Sequence, residues 1–125
     1  MSLDLQVKFW VEQDGGLVLS DWRIGLLEAI AATGSLAEAA AQFDVSYRVA
    51  WRKLREIEQR LDVRLFKGHS GGKDGGGSTL TPLGYEVVQR YRHFRRGLVE
   101  MAEQRFQETF ADLNMVVDCN EKKPE

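Results

Sequence analysis

The 125 residues hold 17 Lys or Arg against 19 Asp or Glu, a formal charge of −2 with a pI near 5.7, and 43% of them are hydrophobic. That length has room for one core, since a domain usually runs about 100 to 200 residues, so a separate sensory domain is not expected. One cysteine, Cys119, rules out an internal disulfide framework or a cysteine-based zinc site, and no apolar run nears the roughly 20 residues that span a bilayer. A reducing, cytoplasmic setting without a membrane partner is the expectation.

Overall acidity argues against a nucleic-acid partner, but the charge is unevenly placed. From Tyr47 to Arg96 there are 12 Lys or Arg against 5 Asp or Glu, a net +7, and the remainder holds 5 against 14, a net −9. The positive charge gathers in one stretch.

In chain order, Leu5 to Val11 alternates partly, Asp14-Gly15-Gly16 supplies a turn, and Leu17-Val18-Leu19 follows, which predicts a β-hairpin. Ser20 caps a helix from Asp21 whose apolar stripe is Ile24, Leu27 and Ala31 with Leu26 and Ile30 on its flank, and Gly34 ends it. Ser35-Leu36-Ala37-Glu38 has capping-box spacing, in which each side chain satisfies a backbone donor, for a short alanine-rich helix from Leu36 to about Gln42. Phe43-Asp44-Val45 is then the turn of a helix-turn-helix, and Ser46 the next cap.

The helix Tyr47 to Leu61 carries most of the reading. At about 100° per residue Ala50, Leu54, Ile57 and Leu61 share one arc, the buried side, and Arg48, Arg52, Arg55 and Gln59 share the opposite one. For an arbitrary helix such an arginine face, with Glu56 and Glu58 nearby, is a solvated surface. Behind a short capped helix and a three-residue turn, it is instead the face that meets base edges in a DNA major groove. Arginine suits the task because its planar fork bridges O6 and N7 of guanine with a charge that does not titrate away. Ser46 and Tyr47 stand at the helix start, where a hydroxyl meets a phosphate with help from the helix dipole. Trp51, on the flank, reads as a ring packed at the edge of the core.

Val63-Arg64-Leu65-Phe66 predicts a short strand and Leu80 its return, around a loop with five glycines in the seven positions Gly71 to Gly77. Asp74 follows Lys73 where a phosphate-binding P-loop needs Ser or Thr, so nucleotide binding is rejected. Lys73 is the best candidate for a wing contact to phosphate, with His69 and Ser78 behind it; no second metal ligand stands near His69, and neither a metal nor a cofactor is expected. Thr81-Pro82 opens a helix from Leu83 to about Phe110, on which Val87, Tyr91, Phe94, Leu98 and Met101 recur at steps of four and three. Such a helix is about 40 Å long, too long for so small a domain to cover, so it projects and pairs with a second copy through that seam. Arg90, Arg92, Arg95 and Arg96 around it read as solvated charge.

The fold class expected is mainly α (α+β): a winged helix-turn-helix with an N-terminal β-hairpin and a long C-terminal dimerisation helix over residues 1–110, then a tail from 111 to 125 whose last residues, 120–125, are solvated and frayed. The run Ser46-Tyr47-Arg48-Val49-Ala50-Trp51, the glycines flanking Lys73, and Leu80-Thr81 resemble the N-terminal domain of the molybdate-responsive ModE-type bacterial regulators. The helix-turn-helix through Leu61, Val63, Leu65 and Phe66 is also similar to the wider LysR-type regulators. The resemblance implies a homodimer, double-stranded DNA as partner, and control of molybdenum-uptake genes. It carries DNA contact over to Ser46, Tyr47, Arg48, Arg52 and Lys73. Molybdate sensing is not carried over, because those regulators hold the oxyanion in a C-terminal region not expected within these residues. The competing expectation is a winged-helix interaction module whose arginine face binds an acidic protein. Neither reading calls for an enzyme, since no nucleophile stands beside a base and no carboxylates are paired.

Overall fold

The computed structural model describes residues 2–69, 76–113 and 116–118. In chain order these form strands β1 (Ser2–Asp4), β2 (Trp10–Gln13) and β3 (Gly16–Ser20), helices α1 (Asp21–Thr33), α2 (Leu36–Gln42) and α3 (Tyr47–Leu61), strands β4 (Phe66–His69) and β5 (Gly77–Leu80), helix α4 (Pro82–Phe110), a 3₁₀ turn at Ala111–Leu113, and strand β6 (Val116–Asp118). The expected class holds: the chain is mainly helical, with three two-stranded sheets among the described residues, β2 with β3 and β4 with β5 antiparallel and β1 with β6 parallel. No helix among the described residues is long and apolar enough to cross a membrane. The chain divides into two compact units, Trp10–Tyr91 and Met1–Phe9 with Arg92–Glu125.

In the unit Trp10–Tyr91, serine caps set the helix starts. Ser20 Oγ accepts from the Arg23 N–H at 3.2 Å, Ser35 Oγ from Glu38 at 3.1 Å and Ser46 Oγ from Val49 at 3.2 Å, each satisfying a donor that the first turn cannot. The capping box is only half formed, because the Ser35 N–H donates to Thr33 Oγ1 instead of the Glu38 carboxylate. Gly34, at φ +73°, ends α1 in the left-handed conformation, its N–H donating to Ile30 O at 2.7 Å. The core joins Val18 of β3, Ile24, Leu26, Leu27 and Ile30 of α1, Leu36 of α2, Ala50, Leu54 and Ile57 of α3, and Leu65. Ala31, expected on the α1 stripe, is exposed. It lies at the right angle but in the last turn, and an angular pattern says nothing of how far along the axis the neighbours reach.

The first hairpin strand begins at Trp10 rather than Leu5. The alternation before it is real, with Leu5, Val7 and Phe9 half-buried and Gln6 and Lys8 exposed, but these residues belong to the other unit. There the Phe9 ring meets the Phe94 ring of α4 edge-on at 5.6 Å. Val63–Leu65 is likewise not strand; β4 starts at Phe66. The backbone groups of this stretch are engaged elsewhere: Glu58 accepts the Leu65 N–H, and the Arg64 and Leu65 carbonyls accept from Thr81. Residues after 110, expected as tail, continue with the 3₁₀ turn and with β6 in register with β1, Ser2 opposite Val116. That pairing joins residues more than a hundred positions apart, beyond any local pattern. Cys119 and residues 120–125 lie outside the described residues.

Candidate nucleic-acid interface

Helix α3 presents one face outward. Tyr47 is 55% exposed, Arg48, Arg52 and Gln59 are exposed, and among the described residues no carboxylate pairs with Arg48 or Arg52. Ser46 is exposed beside them; its oxygen caps the Val49 N–H, which leaves its own O–H free to donate outward. Two guanidinium forks and two hydroxyls at the start of one rigid helix make a surface for phosphates and guanine edges.

Arg55 stands apart from this set. Only 28% of its side chain is exposed, its Nη1 donates to Glu58 Oε1 at 2.6 Å, and its guanidinium carbon lies 5.7 Å from the centre of the Trp51 ring. Glu58 is buried, 2% exposed, and also accepts the Leu65 N–H at 2.7 Å and the Phe66 N–H at 3.3 Å, with Arg64 Nε at 3.7 Å. This carboxylate ties α3 to the base of the β4–β5 wing. Sequence reasoning left it on the solvated face; it lies about 40° beyond Leu54, at the margin of the apolar arc. Glu56 is also committed, its Oε2 accepting from the buried Arg23 at 2.9 Å while Arg23 Nη1 reaches Lys53 O at 3.2 Å. Trp51, expected at the edge of the core, is 45% exposed on the same side as the arginines, a correction that follows from Glu58 and not Trp51 turning inward.

The wing pairs Phe66 with Leu80, Lys67 with Thr79, Gly68 with Ser78 and His69 with Gly77. Its seat is close: the Ser78 N–H donates to Gly34 O at 2.8 Å, and a Cβ on Gly77 would lie 2.8 Å from that oxygen. Ser78 is thus buried, a docking residue of the wing, and the expectation of an exposed phosphate contact there is corrected. His69 is exposed and shares a hydrogen bond of 2.8 Å with Thr79 Oγ1. Lys73 lies in residues 70–75, outside the described residues. Lys67 and Arg64, exposed at the wing, were not singled out from sequence. Strand parity held the signal for Lys67, because Phe66 points inward and its successor must point out. Tyr47, His69 and Ser78 line one open cleft of about 360 Å³ with Ser35, so the recognition helix and the wing share one surface.

Along α4, the five seam residues do not form one exposed stripe. Tyr91 is buried, its O–H donating to Asp21 Oδ1 at 2.7 Å, so it anchors α4 on α1 and is not free to face a second copy. Val87 and Leu98 are half-buried, Phe94 is 58% and Met101 48% exposed, and the buried residue between them is Val99, off the expected spacing.

Comparison with known proteins agrees with this geometry. The family model for bacterial regulatory helix-turn-helix proteins of the lysR family matches residues 23–85. The molybdenum transport protein ModE of Azotobacter vinelandii is 39% identical over 82 residues, covering 66% of this chain and 30% of that protein. The DNA-binding transcriptional dual regulator ModE of Escherichia coli is 39% identical over 69 residues, 55% of this chain and 26% of that one. The chain therefore spans less than a third of the length of these relatives. Among solved structures it is similar to full-length CbnR complexed with its target DNA, with a TM-score of 0.52 and 21% identity over 68% of this chain and 28% of that one. Lactococcus lactis ZitR gives a TM-score of 0.51 and 16% identity over 80% and 66%. At these identities the likeness is one of fold. The chain belongs to the bacterial regulatory helix-turn-helix proteins of the lysR family, and its winged helix-turn-helix is similar to that of the ModE regulators.

Proposed function

We propose that this chain is a non-catalytic transcriptional regulator of the ModE type, which binds double-stranded DNA as a homodimer and acts on genes of molybdenum metabolism. The observation that carries the reading is the free, outward pair Arg48 and Arg52 at the start of α3, in the same compact unit as a basic wing. Arg48 and Arg52 enter the major groove, where each fork can hold a guanine edge or a phosphate, and Ser46 and Tyr47 fix the helix on the backbone. Lys67 of the wing and Lys73 neutralise flanking phosphates, and His69 offers a ring N–H to a further one. Arg55, already paired, contributes less charge than its position suggests. The molybdenum assignment is taken from the names of the relatives, and the dimer from the exposed Phe94 and Met101 on α4. Two copies then set half-sites about 34 Å apart.

Titration of a genomic duplex pool at several salt concentrations tests the reading. Affinity should fall by about 0.9 log units per log unit of salt for each phosphate neutralised, and Lys67→Ala should flatten that slope by about one phosphate for every sequence. Binding of an acidic protein in place of duplex, or duplex binding indifferent to salt, would overturn it.

A further inference from the structure

Trp51 remains without a task in the contacts described so far. An indole nearly half exposed, on a helix that has a well-formed apolar arc to bury it in, is not needed for the core. It is nonetheless held. Arg55 lies over one side of the ring, Arg55 is fixed by the buried Glu58, and Glu58 is fixed in turn by the Leu65 and Phe66 N–H groups. At about 100° per residue Trp51 lies one turn after Tyr47 and about 40° from Arg55, flanking the outward arc that runs from Arg55 through Arg48 to Arg52. The surface is thus an oriented apolar plate set among free cations, in the half of the helix that approaches base edges. The major groove offers one apolar group to such a plate, the 5-methyl of thymine.

We propose that Trp51 is a specificity-determining residue that reads thymine methyl groups, and that Glu58 is a positioning residue which aims it through Arg55. The proposal rests on the duplex-binding reading above and deepens it: the arginines select guanine or phosphate, and the indole selects T·A pairs beside them.

The test starts from duplexes that the full chain recovers from a random pool, resynthesised with uracil replacing thymine at single positions, a change that removes only the methyl. One or more such positions should weaken binding by roughly fourfold each, the factor that corresponds to burial of a single methyl group. Trp51→Ala should bind thymine and uracil duplexes alike while keeping the parent's salt slope, and Trp51→Phe should restore part of the discrimination. Glu58→Gln should reduce the discrimination with Trp51 still present. The proposal is overturned if the parent chain binds uracil and thymine duplexes equally at every position, a measurement that needs no variant, or if Trp51→Ala discriminates as the parent does. Recovery of no duplex at all strikes the DNA-binding reading itself, and it does so before any uracil enters the experiment.

Discussion

Glu58 decides which arginines of α3 can reach a partner. By sequence Arg48, Arg52 and Arg55 are equivalent, three cations on one arc; in the fold Arg55 is drawn to a buried carboxylate, and the other two are left outward. Removing a buried charge's partners is expensive because the groups left behind lose both their bond and their water. Glu58→Ala strands two backbone N–H groups and a guanidinium, and should destabilise the chain by about 3 kcal/mol in urea unfolding. Glu58→Gln keeps one amide oxygen that both N–H groups can share and gives up only the bond to Arg55, so it should lose less. A variant Ala protein within about 0.5 kcal/mol of the parent would show that the carboxylate is not an anchor.

Among the elements, the start of α4 was legible and its seat was not. Thr81 and Pro82 mark the helix start from sequence, and Thr81 Oγ1 does accept the Gly84 N–H at 3.0 Å. The same hydroxyl donates to Arg64 O at 2.7 Å, and the Thr81 N–H to Leu65 O at 2.9 Å, which closes the wing against the helix. A Cβ on Gly84 would overlap the Leu65 carbonyl oxygen. Gly→Ala inside a helix ordinarily gains about 1 kcal/mol. Here the backbone must move, an overpacking penalty of about 1 to 3 kcal/mol that outweighs the gain, so Gly84→Ala should lower the melting temperature. A rise instead would mean that α4 does not press on residue 65.

For the molecule as a whole, the seam on α4 separates into an internal part and an external one. Tyr91 bonds Asp21 within the chain, whereas Met101 is exposed. Tyr91→Phe removes a hydrogen bond to a carboxylate and should cost about 1 to 2 kcal/mol of stability without changing oligomeric state. Met101→Glu, at an exposed position, should leave stability within about 0.5 kcal/mol but shift the proposed dimer toward monomer in sedimentation. If Met101→Glu sediments like the parent, the copies do not meet through this part of α4. The charge asymmetry belongs to this scale as well, since an acidic chain can still present a strongly basic recognition stretch.

From the sequence alone came the order of elements from the first hairpin through α4, the caps Ser20, Ser35, Ser46 and Thr81, the apolar arc of α3 and the outward Arg48 and Arg52. Caps and helical periods act within a turn or two of the chain, so the local string contains everything needed to find them. Tertiary structure alone decided that Glu58 turns inward and Trp51 outward, that Ser78 docks where exposure was expected, that Tyr91 is an internal anchor, and that residues 2–4 pair with 116–118. Each of these depends on a partner brought from elsewhere in the fold, whose free backbone group, carboxylate or strand edge overrides the preference of the isolated segment.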